Sequence, residues 1–162
     1  MVLEKANAIA VAVDGSVPGW EAMKRAINLA RLLELPLDVL HVIRVVKAGY
    51  FAFIDRHLQE EQEANAKKVL DEAVQRGQKA GVEVRTHLLE GEKEPSEAIV
   101  AFLEQARGIK FLVLGSHGHS FVGRQLIGSV TERVIREVAH RGLPVPVLVV
   151  PAPRAEEAEA QE

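Results

Sequence analysis

Four of the twelve glycines, Gly115, Gly118, Gly123 and Gly128, fall within fourteen residues, and Ser129 follows the last of them. Glycine lets backbone N–H groups come close to a ligand and reaches positive φ without strain. The segment, GSHGHSFVGRQLIGS, follows the apolar run FLVLG at 111–115 and leads into Val130, Val134, Ile135 and Val138 at helical spacing. A strand, a glycine loop and a helix amino end, in that order, make a cradle for phosphate. The free N–H groups and the helix dipole both favour an anion there, and the Ser129 hydroxyl adds a hydrogen bond. A plainer reading also fits: the glycines make turns and Ser129 caps a helix. The segment lacks the Gly-Lys-Ser/Thr of the P-loop, and it does not follow the first strand as a dinucleotide fingerprint would.

A second polar site is Asp14-Gly15-Ser16, which ends the run AIAVAV at 8–13. These are turn and helix-cap residues, and Asp14 by itself reads as a helix cap. His117 and His119 are two apart in the glycine segment, but no cysteine or matched carboxylate stands near them, so they make a weak metal signal. Arg124 in the same loop could meet phosphate or simply face solvent. No nucleophile and base pair can be argued from the sequence.

The elements that must position these residues alternate along the chain. AIAVAV is a small-apolar run, as in a strand buried on both faces. Ala22, Met23, Ala26, Ile27, Ala30 and Leu33 recur at helical spacing until Pro36 bars continuation. LDVLHVI, 37–43, is a second buried strand, with His41 packed in or beside it. An irregular stretch at 44–52 leads to a long polar helix over about 53–79, ended near Gly81. VEVRTHLL, 82–89, alternates as an edge strand does, and His87 on it needs no function. Pro95 opens a third helix with an apolar face of Ala98, Ile99, Phe102, Leu103 and Ala106. FLVLG is the fourth strand, and VPVLVV, 145–150, is the fifth, with Pro146 placing it at an edge or a strand start. Trp20 and Tyr50 read as packing residues.

Five strands alternating with four helices predict a parallel sheet with right-handed crossovers, doubly wound. Ligands of such sheets bind beyond the carboxyl ends of the strands, where the winding reverses. In the order 3-2-1-4-5 that point lies between the first and fourth strands. The two most turn-rich exits, Asp14-Gly15-Ser16 and Gly115 onward, follow those two strands.

The bulk properties agree with one domain. The 162 residues carry a net charge of −3, are 48% hydrophobic and include no cysteine. The charge argues against nucleic acid as a partner, and the missing cysteine removes disulfides and thiolate metal sites. No apolar stretch reaches the roughly 18 residues of a membrane span, and no signal peptide is visible. The cytoplasm is therefore the expected compartment. The domain is expected over 1–151, followed by an acidic, aperiodic tail at 152–162 that is expected to be disordered.

The spacing Gly115, two residues, Gly118, nine residues, Gly128-Ser129 resembles the G-x2-G-x9-G-S/T signature of the ATP-binding universal stress proteins. VAVDGS, LHV and VPVLVVP extend the resemblance over about 8–151. It implies the five-stranded, adenine nucleotide alpha hydrolase-like α/β fold. It also implies an adenine nucleotide ligand, with Ala12 lining the adenine pocket and Asp14 at ribose or adenine. Val42 would read the adenine edge through its backbone. Gly115, Gly118, Gly128, Ser129 and Val130 would contact phosphate. ATP with Mg²⁺ or Mn²⁺ held through its phosphates is the expected ligand, with AMP or cyclic AMP as rivals. The expected role is a nucleotide-dependent regulatory or stress-response module, the alternative being a weak ATPase. Pairing through strand 145–150 implies a homodimer.

Overall fold

The computed structural model describes residues 7–45, 52–92, 94–118 and 127–152. Five strands form one parallel sheet in the order β3-β2-β1-β4-β5, the order assumed above for a doubly wound sheet. They are β1 (Ala8–Ala12), β2 (Leu37–Arg44), β3 (Val84–Gly91), β4 (Ile109–Gly115) and β5 (Val147–Val150). Between them run α1 (Val17–Leu33), α2 (Ala52–Lys79), α3 (Pro95–Gln105) and α4 (Ser129–His140).

β1 lies at the centre because small and β-branched side chains suit a strand covered on both faces. Its register sets Val11 beside Val39 on one side and Val113 on the other. Alternation along the strand then builds two cores. Ile9, Val11 and Val13 pack under α1 and α2 with Met23, Ala26, Val69 and Ala73. Ala8 and Ala10 pack under α3 and α4 with Ile99, Leu103, Val134 and Val138. Residues one apart in sequence thus serve opposite faces, which accounts for the uninterrupted apolar run.

The boundaries of three strands differ from the sequence expectations by two residues. β5 begins at Val147 rather than residue 145. Pro146 has no N–H for the ladder, although its carbonyl accepts from Leu112 at 2.9 Å. β3 begins two residues later than expected, after Gly81 (φ 73) and the bond from the Val82 N–H to the Gly77 carbonyl have closed α2. β4 starts earlier, at Ile109, which is buried against the α3–α4 face. Helix α1 ends in the left-handed residue Glu34 (φ 55), whose N–H returns to the carbonyls of Ala30 and Arg31.

His41 is buried, as expected. Its Nδ1 lies 2.8 Å from the Val13 carbonyl; a carbonyl only accepts, so Nδ1 carries the proton. Trp20 packs against the α1–α2 core, with the Arg76 guanidinium 4.3 Å from its ring centroid. Among the described residues no helix is long and apolar enough to cross a membrane. Tyr50, His119, Gly123, Arg124 and the tail from 153 onward lie outside the described residues. Ala152, the first residue of that tail, is described, and its N–H donates to the Ser116 hydroxyl at 3.2 Å.

Candidate functional site at the split between the central strands

Adjacent parallel strands whose connections leave in opposite directions part at their carboxyl ends. Here β1 leads outward through β2 to β3, while β4 leads outward to β5. The cleft opens where β1 and β4 diverge. Ala12, Asp14, Val42, Gly115, Gly118, Gly128, Ser129 and Val130 all line it. They come from three strand exits and the start of α4, so the fold gathers all eight sequence-selected residues on one surface.

Asp14 is positioned by the turn into α1. Gly15 takes φ 85, and the Asp14 carboxylate accepts from the Ser16 N–H at 3.0 Å and from the Ser16 hydroxyl. Ser16 is the N-cap of α1, its Oγ accepting from the Gly19 N–H at 3.2 Å. The helix-cap reading of Asp14 is therefore replaced: Ser16 caps, and Asp14 holds Ser16. The carboxylate lies between two glycines. A Cβ on Gly19 would stand 2.9 Å from Asp14 Oδ1, and one on Gly118 would stand 2.2 Å from Asp14 Oδ2.

This contact supplies a reason for glycine at 118 that the sequence does not. The left-handed glycines of the described chain are Gly15, Gly81, Gly108 and Gly142. Gly118 and Gly128 are not among them, and Gly128 has φ −72. Close approach, not positive φ, requires them: a Cβ on Gly128 would meet the His117 Cα at 3.0 Å. Gly128 is also the N-cap of α4, so Ser129 is the first helical residue and not its cap. The Gly128 N–H donates to the Ser116 carbonyl at 2.7 Å. Helix geometry leaves the next three N–H groups, of Ser129, Val130 and Thr131, without intrahelical acceptors. They bring the positive end of the α4 dipole to the cleft.

Several lining residues went unnoticed in the sequence. Thr131 is buried and its hydroxyl donates to the Gly115 carbonyl at 2.8 Å, bracing α4 against the end of β4. Leu40, Leu114, Pro95 and Ile99 extend the apolar wall begun by Ala12 and Val42. The apolar spacing of α3 selected Ile99 as core without showing that its first turn reaches a cleft. His117 also lines the cleft. No cluster of three metal-ligating side chains occurs among the described residues, and no lysine or arginine among them lines the cleft. Nearby, Arg133 of α4 bonds Glu94 at the start of α3 at 2.7 Å. That hydrogen bond and the Glu94 charge raise the pKa of Arg133 above its usual value.

The site thus combines an apolar wall, a carboxylate held by a tight turn, and a helix amino end behind close-packed glycines. In a doubly wound sheet, these are the parts of a phosphate-bearing small-molecule site. The profile of the universal stress protein family matches residues 6–151, and the chain belongs to that family. A universal stress protein of Methanocaldococcus jannaschii is 35% identical over 154 residues, covering 91% of this chain and 84% of the relative. UspA from Lactobacillus plantarum superposes with a TM-score of 0.74 at 28% identity, covering 90% of this chain and 98% of that one. A universal stress protein from Archaeoglobus fulgidus, in complex with dAMP, gives a TM-score of 0.61 at 26% identity, with coverage of 90% and 98%.

Proposed function

We propose that this chain binds ATP in the β1–β4 cleft and acts as a cytoplasmic, nucleotide-dependent regulatory or stress-response module, with at most slow hydrolysis. One observation carries this reading: the apolar wall, Asp14 and the α4 amino end converge on a single cleft at the winding reversal. Adenine belongs against Ala12, Leu40, Val42 and Ile99, and ribose beside Asp14. The phosphates belong at the N–H groups of Ser129, Val130 and Thr131. The Gly128 N–H, already bonded to Ser116, contributes through its close packing instead. The dAMP complex of the Archaeoglobus fulgidus relative supports an adenine nucleotide in a related fold.

A triphosphate needs positive charge, and among the described residues the cleft wall supplies dipoles rather than lysine or arginine. A hard divalent cation, Mg²⁺ or Mn²⁺, is expected to arrive on the phosphate oxygens with water completing its shell. The decisive experiment identifies by absorbance and mass whatever the purified protein releases on denaturation, then titrates ATP with and without Mg²⁺. ATP in the released fraction, and an affinity that falls on chelation, support the reading. AMP or cyclic AMP in its place moves the ligand to a monophosphate. No nucleotide and no titratable binding overturn the reading.

We also propose a homodimer through the 145–150 strand. β5 is an edge strand, and Leu148, Leu29 and Leu32 line an apolar groove beside it; Leu32 is 80% exposed. An exposed apolar edge invites pairing. Light scattering at micromolar concentration should give twice the chain mass, and Leu148→Lys should halve it. A parent that runs as a monomer removes the dimer.

A further inference from the structure

Ser116, the residue after β4, bonds to three separate parts of the chain. Its N–H donates to the Val150 carbonyl at 2.8 Å, extending the β4–β5 ladder. Its carbonyl accepts the Gly128 N–H at 2.7 Å, at the N-cap of α4. Its hydroxyl accepts the Ala152 N–H at 3.2 Å. The residue is buried, at 7% exposure, where an unmade hydrogen bond is costly. The exit from β5 reads Pro151-Ala152-Pro153. Proline has no N–H, so this tripeptide has a single backbone donor, and it is directed at Ser116.

We propose that Ser116 is a positioning residue that couples the exit of β5 to the phosphate-facing start of α4. This rests on the nucleotide reading of the cleft. The Ser116–Gly128 bond and the Thr131–Gly115 bond are two braces on consecutive residues of the β4 exit. Together they set how far the N–H groups of Ser129, Val130 and Thr131 stand from the Gly115–Gly118 turn. The Ser116 hydroxyl holds the first brace in place by anchoring the same residue to the chain leaving β5. Nucleotide affinity therefore depends on a contact made outside the cleft, where the chain leaving β5 passes the end of β4. Ser116 is not among the cleft-lining residues, so its effect is indirect.

The test is a double-mutant cycle on the full chain, read by titration of ATP with Mg²⁺. Ser116→Ala removes the acceptor and Ala152→Pro removes the donor. Neighbouring Pro153 already restricts residue 152 to the extended region that proline accepts. Each single variant is expected to weaken ATP binding roughly three- to tenfold, the range of one lost hydrogen bond. The double variant is expected to be no more than about twofold worse than the weaker single, since both remove the same bond. Ser116→Thr, which keeps a hydroxyl, should recover most of the loss. Exchange of the Gly128 amide in the nucleotide-free protein should quicken in Ala152→Pro. Parental affinity in both single variants, or penalties that multiply in the double, overturns the coupling. If Ser116→Ala does not fold, Ala152→Pro decides alone. If the parent binds no nucleotide, the functional reading fails, and the Gly128 exchange still supports or overturns the link.

Discussion

Two aspartates at opposite ends of the sheet are held in different ways. Asp38, near the start of β2, is buried and answered in full. In register beside it, Arg85 donates at 2.8 and 3.0 Å, and His87 Nε2 lies 2.9 Å away. His87 also packs its ring 4.9 Å from that of Phe102. Asp14, just past the end of β1, accepts from the N–H and hydroxyl of Ser16 and lies against Gly19 and Gly118. The first carboxylate is neutralised by formal positive charge and glues an edge strand to its neighbour. The second is oriented by a turn and faces a cleft. The carboxylate at the strand starts is thus held by an ion pair, and the one at the strand exits by a turn beside the cleft proposed for the nucleotide.

The largest effect expected from breaking this arrangement is at Gly118. A valine there would drive its Cβ into the Asp14 carboxylate, so both must shift and the cleft loses its shape. ATP affinity should fall at least about a hundredfold, or about 2.7 kcal/mol, with a rearrangement confined to the β1 and β4 exits. Calorimetric titration and a melt without nucleotide measure both parts. A variant that binds ATP like the parent would remove the glycine turn from the site.

Asp38→Ala tests the other end. It strands Arg85 and His87, each about one-third exposed at the side chain, so solvent offsets part of the cost of breaking a buried pair. Urea unfolding should show a loss of about 2 kcal/mol, while ATP affinity of the folded protein stays within about twofold. A large affinity change would mean the two ends are not independent.

The smallest effect separates Ser129's hydroxyl from its helix. Ser129→Ala should weaken ATP binding about tenfold, as for one hydrogen bond to a charged group. Because Gly128 is the N-cap, the melting temperature without nucleotide should not move. A lowered melting point would return a structural role to the hydroxyl.

The fold was legible because both strand faces are covered: AIAVAV is apolar throughout, and LDVLHVI is apolar but for Asp38 and His41. The lining of the candidate site was legible at Asp14 and in the Gly115–Ser129 spacing, where the residues that reach the cleft are local in sequence. The Asp38–Arg85–His87 cluster was not, since it depends on the register between β2 and β3, which no local pattern encodes; His87 alone reads as an idle edge residue. The Ser116 junction was hidden for the same reason, its three partners lying far along the chain. The turn and cap segments were legible, but the capping residue within each was not: it is Ser16 in Asp14-Gly15-Ser16, and Gly128 before Ser129. Several small polar residues in a row compete for one cap, and only backbone geometry chooses among them.

The pairing of β1 with β4 also has a kinetic consequence. Ile9 meets Phe111 across about a hundred residues of chain, so among the strand pairings this one closes the longest loop and carries the largest single loop-closure cost. The β1–β2–β3 half can assemble from one contiguous stretch, whereas the cleft exists only once the late-made half closes against it. A ligand seated on that seam has nothing to hold in the early species. It should slow unfolding and leave the rate of folding unchanged, acting as a lock on the finished molecule rather than a template for making it.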